Sequence, residues 1–445
     1  MMRISISLFL ILQFSFAFGQ TELSLSQALE IGLANNLQVR FQEKQVLISE
    51  NNDTWANAGR TPTVDVTAVN QSAISQQVNP ANVILPEQLS YSTGLNGGLE
   101  MNLLLYNGGR IKYAKTGLGL QREQAELNMR IAIEDLTEQL MLAYYQVLLV
   151  EEQRTVLQEV KSLSKDRLDF QELKREYGSA STFDVIQAKD AYLNDSIAYI
   201  QLENQIAALH NNLKLVMGIS GNTEQYKLTD NLESVIPLLE KEGLQQRMLD
   251  NNTDILNLRL ADKLALNNID IQKTALKPTL GLGLGVSGNL NSIYLDAENP
   301  ITMEIIGRNT SYGVNPFLNL TASYRLFDAG LRKTRIQNAE VQWQANKDLM
   351  LNMEQTIATQ FENTYLQMVT NQHVLEMSEQ QLDNASKNLD IAKDRFENGL
   401  ISSFDYRTIQ LGYLSASQAR LEARFNLINS QISILNLTGG LYTKG

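Results

Sequence analysis

Cysteine is absent from all 445 residues. The chain can therefore form no disulfide, offer no thiolate to a metal and carry no lipid through a cysteine anchor. Histidine is nearly absent: His210 and His373 are the only two, neither has a partner at metal-ligand spacing, and both read as helix-surface residues. The twelve methionines are scattered, which gives no support to a soft-metal relay. Cationic excess is lacking too. A net charge of −12 makes nucleic acid a poor partner. Long apolar runs are missing after the first twenty residues. The best candidate, 140–150, is interrupted by Tyr144, Tyr145 and Gln146 and is too short to span a bilayer as a helix. Any membrane insertion must then use strands. No Ser/His/Asp or paired-carboxylate arrangement stands out. Glu134-Asp135 and Glu151-Glu152 read as solvated helix faces, an enzyme is the least favoured class, and no cofactor is expected.

What is present begins with residues 1–19. One early charge, Arg3, precedes an apolar run that ends in Ala17-Phe18-Gly19. These features predict a secretory signal peptide, cut before Gln20. The rest of the chain repeats itself. Leu105-Tyr106-Asn107-Gly108-Gly109 returns as Leu326-Phe327-Asp328-Ala329-Gly330. Gly178 to Asp184 returns as Gly399 to Asp405, and Met217-Gly218 as Thr438-Gly439. These three pairs share an offset of 221 positions, whereas Asn35-Asn36 with Asn251-Asn252, and Pro62 with Pro278, share 216. The sequence is a tandem duplication, with five extra residues falling in the second copy between its proline and its glycine turn.

Each copy opens with an amphipathic helix, from about Ser26 to Ala58 in the first, ended by Pro62. The period then changes to two. Tyr91, Leu95, Leu99, Met101, Leu103 and Leu105 alternate with Ser92, Asn96, Glu100 and Asn102, and Leu318, Leu320, Tyr324 and Leu326 with Asn319, Ser323 and Arg325. A proline-free helix of roughly 70 residues, about 105 Å long, follows each hairpin. A break at Gly178 or Gly399 and a return helix complete the copy. Leu411, Leu414, Leu421, Phe425, Ile428, Ile432 and Leu435 keep heptad spacing, interrupted at Gln418, and predict a packed seam. Four strands cannot close a membrane barrel, because about eight are the minimum and open edges are not tolerated in lipid. The strand count requires oligomerisation and leaves open a dimer of eight strands or a trimer of twelve.

This layout resembles the TolC family of outer-membrane channel-tunnels. The resemblance rests on the duplication, the prolines at 62 and 278, the strand-to-helix turns at 105–109 and 326–330, and the helix tips at 178–184 and 399–405. It implies a homotrimer with a twelve-stranded membrane β-barrel and a long α-helical barrel in the periplasm of a Gram-negative cell, each chain giving four strands. Such a protein is a passive exit duct set in outer-membrane lipid. It docks onto a periplasmic adaptor and an inner-membrane pump or ABC-type transporter. The implied segments are 20–61, the first opening helix; 62–106, a β-hairpin; 107–218, a helical hairpin; 219–238, an inter-repeat linker; then 239–277, 278–327 and 328–438 in the same order, with a tail at 439–445.

The resemblance also assigns roles. Asp405 would line the periplasmic entrance with Asp184 nearby, since a carboxylate ring at a constriction repels anions; each Asp could equally cap its return helix. Thr408 stands where some members have a second Asp, Ile401 where some have an Arg, and Phe396 where some have a Tyr. Closure at this tip is expected to rest on packing of Phe396, Ile401 and Phe404 rather than on a hydrogen-bonded lock. Gly178, Ser179, Gly399 and Leu400 are the expected adaptor contacts.

Gly283-Leu284-Gly285-Val286-Ser287-Gly288 fits a dinucleotide fingerprint in spacing, but no helix follows, and glycine relief in a crowded strand is the simpler reading. The five extra residues predict that the hairpin containing Asn289 to Asn315 has the longer, exposed loop. The competing class is a secreted or periplasmic coiled-coil protein without a pore, structural or adaptor-like, which accounts for the rods but not for the paired strands.

Overall fold

The computed structural model describes residues 21–78, 87–219, 226–233, 240–298, 301 and 304–441. The expected signal peptide and most of the tail lie outside them, as does part of the linker. In chain order the elements are β1 (Thr21–Leu23), α1 (Leu25–Asn35), α2 (Leu37–Asn52), β2 (Thr63–Val78), β3 (Glu87–Asn107), α3 (Arg110–Glu176), α4 (Thr182–Val216), β4 (Tyr226–Leu228), α5 (Lys241–Asn251), α6 (Thr253–Thr274), β5 (Thr279–Glu298), β6 (Ile305–Ser323), α7 (Leu331–Glu397) and α8 (Ser403–Leu437). The duplication is met element by element: α3 and α7 are each 67 residues, α4 and α8 each 35.

Two compact units divide the chain. One comprises Gln45–Glu126 and Asn257–Asn352 and contains the sheet. Its four strands are antiparallel in the order β2-β3-β5-β6, so β2 and β6 are edge strands. Alternation produces two faces. Val66 opposes Leu99, which opposes Val286; Leu284 opposes Leu318. These apolar side chains are exposed or half-buried along one face of the sheet. The sheet ends at Ser323, short of the expected Tyr324 and Leu326. The glycine run is strand, as expected. A Cβ on Gly285 would stand 2.3 Å from the Leu99 carbonyl oxygen and 2.9 Å from the Phe317 ring.

The expected long loop between Asn289 and Asn315 is a correction. β5 continues to Glu298 and β6 starts at Ile305, so strand runs through most of this segment, and β5 has 20 residues against 16 in β2. The polar residues there pair across the ladder: Asn315 Nδ2 donates to Asn289 Oδ1 at 3.5 Å and Thr310 Oγ1 to Ser292 Oγ at 3.3 Å. Side chains satisfied in this way need no loop.

The other unit takes the chain up to Lys44, Leu127–Leu256 and Met353–Gly445. Its largest core gathers Leu140, Tyr144, Val147 and Leu148 of α3 with Leu213 of α4 and Leu421, Ile428 and Ile432 of α8. Leu411 of the expected seam is exposed, so that seam is buried only from Leu421 onward. The opening helix of each copy is broken rather than continuous. Asn36 Oδ1 accepts from the amides of Gln38 and Val39 while its Nδ2 donates to the Val216 carbonyl at 3.4 Å. Asn252 repeats this with Asp254, Ile255 and the Leu437 carbonyl at 3.1 Å. One amide side chain thus starts a new helix and holds the end of the return helix. The sequence pattern did not show β1 and β4, which pair in parallel. Asp230 Oδ2 accepts from Leu25 N at 2.7 Å and from Tyr144 Oη at 2.7 Å beside this pair.

Glu134 is a further correction. It is 2% exposed and paired with Arg130 at 2.9 Å, because this turn of α3 lies inward. Burial raises its pKa against the opposing pull of Arg130. His210 is half-buried and shares a 3.0 Å hydrogen bond with Glu151.

Candidate functional site

Both hairpin tips are built by the same local chemistry. Helices α3 and α7 stop at Gly178 and Gly399, each at φ +73°, where a side chain would be strained. Ser179 N donates to Lys174 O at 2.7 Å and Leu400 N to Arg395 O at 2.8 Å, closing the last turn. Gly178, Ser179, Gly399 and Leu400 are all exposed. The return helices start with capping boxes. Asp184 N donates to Ser181 Oγ at 3.2 Å, and Ser181 N donates back to Asp184 Oδ2 at 3.0 Å. Asp405 and Ser402 do the same at 3.1 and 3.4 Å. The Ser181 hydroxyl, then its amide, holds the Asp184 carboxyl below the usual carboxylate range. Both acids therefore cap their helices.

Of the remaining residues expected at the second tip, Phe396 and Ile401 share one cluster, and Phe404 and Thr408 lie outside it. Phe396 is buried, stacked on Tyr406 with ring centroids 4.8 Å apart and edge-on to Phe170 at 5.1 Å. Ile401 packs against that cluster. Phe404 is 62% exposed and stays outside it. Thr408 donates to the Phe404 carbonyl at 3.1 Å, inside its own helix.

A polar junction that the sequence reading missed lies just beyond the tip. Arg407 of α8 reaches both oxygens of Asp195 on α4, at 2.7 and 2.8 Å, and Ser164 of α3 at 3.0 Å. Ser164 Oγ in turn donates to Asp195 Oδ2 at 2.5 Å. Arg167 of α3 donates to the Ser403 carbonyl at 3.0 Å, and its Nε and Nη2 have no partner among the described residues. Burial, then the neighbouring Arg407, pushes the Arg167 pKa down to about 10. Tyr413 Oη meets Glu159 at 3.0 Å. The first hairpin is thereby tied to the second by polar groups, of which Ser164, Arg167 and Asp195 are buried. The missed signal lay in the repeat offset: Arg407, Asp195 and Ser164 each have an apolar counterpart 221 positions away.

On the polar face of the sheet Asp65 and Glu100 stand directly opposite each other, the only charged pair in that register. Like charges so placed are destabilising in a sheet, and neither forms an ion pair within the described residues.

Residues 28–219 and 244–440 match the family described as outer membrane efflux protein, in two blocks that follow the two copies. The chain belongs to that family. Among relatives of this outer membrane efflux protein, the toluene efflux pump outer membrane protein TtgC of Pseudomonas putida is 24% identical over 328 residues, 72% of this chain and 63% of TtgC. The chain thus matches less than two thirds of TtgC's length. The cation efflux system protein CusC of Escherichia coli is 22% identical over 79% of this chain and 73% of CusC. A crystal structure of CusC superposes with a TM-score of 0.73 at 18% identity, covering 93% of this chain and 91% of CusC. The outer-membrane channel OprN gives 0.72 at 19%, covering 94% and 90%. At these identities the structural likeness concerns the fold, and it spans sheet and helices alike in the outer membrane efflux protein.

Proposed function

We propose that this chain is the outer-membrane exit duct of a tripartite efflux pump or a type I secretion system in a Gram-negative cell. Its sheet would lie in the outer membrane and its helices in the periplasm. The observation that carries this reading is the sheet: four long strands with an exposed apolar face, a polar opposite face and two single-sided edges. Such a sheet is satisfied in lipid only when copies join edge to edge. Three copies supply twelve strands around a polar lumen and six helical hairpins below it. Asp405 and Asp184, fixed as caps, would then stand at the periplasmic mouth as an anion-repelling ring. The exposed tips at Gly178, Ser179, Gly399 and Leu400 offer the contact to an adaptor, which links the duct to an inner-membrane pump or ABC-type transporter. No group along this path is asked to do chemistry.

The names of the relatives point to different cargoes, toluene for one and cations for another. Selection of cargo therefore belongs to the pump, and the duct supplies a gated passage. The test is recovery and conductance together. The protein is expected in the outer-membrane fraction as a heat-modifiable oligomer that opens ion-conducting channels in planar bilayers. Recovery only as a soluble periplasmic protein without conductance would overturn the reading in favour of a poreless coiled coil.

A further inference from the structure

The duplication makes each contact within the chain a template for a contact between chains. In the internal junction the second hairpin is seated on the first: α8 lies against α3 and α4 through Arg407, Ser164, Asp195 and Arg167. Shifting every residue by the repeat offset of 221 gives the counterpart junction, in which α7 and α8 of one copy receive α4 of another. That second junction is empty within a single chain, and its two sides are open. Tyr145 is 4% exposed in the core that also holds Leu421 and Ile428, while its counterpart Leu366 is 65% exposed. Val160 and Arg167 are buried, while Gln381 and Asn388 are exposed. On the other side, Leu421 is 3% exposed and its counterpart Ile200 is 67% exposed. Gln410 and Ile428 are buried, while Lys189 and Ala207 are exposed.

The chemistry of the two junctions differs as a set. The internal junction places a charged triad at its centre: Arg407 from the incoming helix, Asp195 and Ser164 from the receiving pair. The counterparts are Ile186 on the incoming helix and Ala416 and Ala385 on the receiving pair. All three have become apolar together. The receiving side is also a formed groove of about 410 Å³ between α7 and α8, in which Ala385, Ile391 and Ala416 form an apolar seat flanked by Gln381, Asn388 and Arg395. The internal counterpart of this groove is filled by the Arg407 side chain. Ile186 is 53% exposed on α4 and has a seat to fill.

We propose that Ile186 of one copy fills the groove between α7 and α8 of a second copy, so that a ring of copies alternates a charged junction inside each chain with an apolar junction between chains. Such a contact is head-to-tail, with each copy offering one face and one groove, and it closes when the rotation closes. The proposal rests on the oligomeric duct reading above and adds which surfaces meet, in what register and by what chemistry.

The absence of cysteine makes the test clean. The full chain carrying Ile186→Cys and Ala385→Cys together, oxidised or treated with a short bismaleimide in outer membranes, is expected to give species of two and three chain masses on a denaturing gel. Either single substitution should give none. Ile186→Arg alone buries an unpaired charge and is expected to abolish the oligomer. Ile186→Arg with Ala385→Ser and Ala416→Asp rebuilds the internal triad at the outer junction and is expected to restore it. An oligomer that forms normally, fails to crosslink at 186 and 385 and tolerates Ile186→Arg overturns this surface assignment and leaves the duct standing. A wild-type chain that is monomeric in the membrane overturns both.

Discussion

Ala329 holds φ +53°, the single described residue other than glycine in the left-handed region. Its counterpart Gly108 sits at φ +70° in the same strand-to-helix turn of the first copy. A Cβ in this region costs roughly 1 kcal/mol. Ala329→Gly is expected to raise stability by about that amount less the added freedom of the unfolded chain. A rise in the urea midpoint in detergent, with the oligomer unchanged, would show it. The buried Asp195 makes the opposite case. Asp195→Asn removes the carboxylate facing Arg407 and leaves the half-buried Arg407 beside the buried Arg167 without that anion. The expected loss is about 3 kcal/mol, seen as earlier unfolding of the helical unit. Arg407→Met together with Asp195→Leu should recover much of it, because a packed apolar pair avoids the desolvation of both charges.

Three neighbouring carboxyls on α3 set a pH dependence. Burial raises the pKa of Glu134, Asp135 and Glu138, with Asp254 adding to Asp135 and Asp135 to Glu138. A raised folded-state pKa means that the folded protein holds the proton more tightly than the unfolded chain. The stabilising contribution is then complete below the usual carboxylate value, about 4, and is lost as pH rises through the raised values. Asp135→Asn with Glu138→Gln keeps the neutral form at all pH. The variant is expected to match the wild type in acid and to exceed it increasingly toward neutrality in urea unfolding. A constant difference across that range would contradict this account.

At the scale of elements, Gly285 reports how closely β5 approaches β3. A methyl group there meets a backbone oxygen, so Gly285→Ala must push two strands apart. The expected cost is about 1–3 kcal/mol, with a lower yield of assembled protein as the readout. Much at this scale was legible in the sequence. Period-two alternation located the strands, the proline-free stretches located the long helices, and the tip glycines located the breaks. The legible features are those that local backbone physics sets. The helix breaks at Asn36 and Asn252 were visible as a repeated Asn-Asn but not as breaks, because their cause is a bond to a return helix about 180 residues away in sequence. The junction of Arg407, Asp195 and Ser164 was illegible for the same reason. Three ordinary surface-type residues become a buried network only when three helices meet. Phe404 is exposed in the single chain, outside the cluster of Phe396 and Tyr406.

At the scale of the whole molecule, carboxylates would set the ion preference of the proposed passage, whatever cargo the pump selects. Asp65 and Glu100 face each other on the polar side of the sheet, and Asp405 and Asp184 cap the tips. In the proposed duct both pairs would face the lumen, Asp65 and Glu100 from the helix-proximal part of the β2-β3 ladder. Asp405→Asn is expected to lower the preference for cations in planar-bilayer recordings, and Asp65→Asn with Glu100→Gln to lower it further. Unchanged reversal potentials in both variants would remove these carboxylates from the pore. The parallel pairing of β1 with β4 has a consequence in time. Residues 21–23 find their backbone partners at 226–228, and the bonds from Leu25 and Tyr144 to Asp230 close over the same pairing. A chain delivered from its amino end must hold its first strand unpaired until the whole first copy has emerged. The linker that separates the copies is thus also the clasp that completes the first, and a truncated chain stopping at 219 would be left with an open end for chaperones and proteases to find.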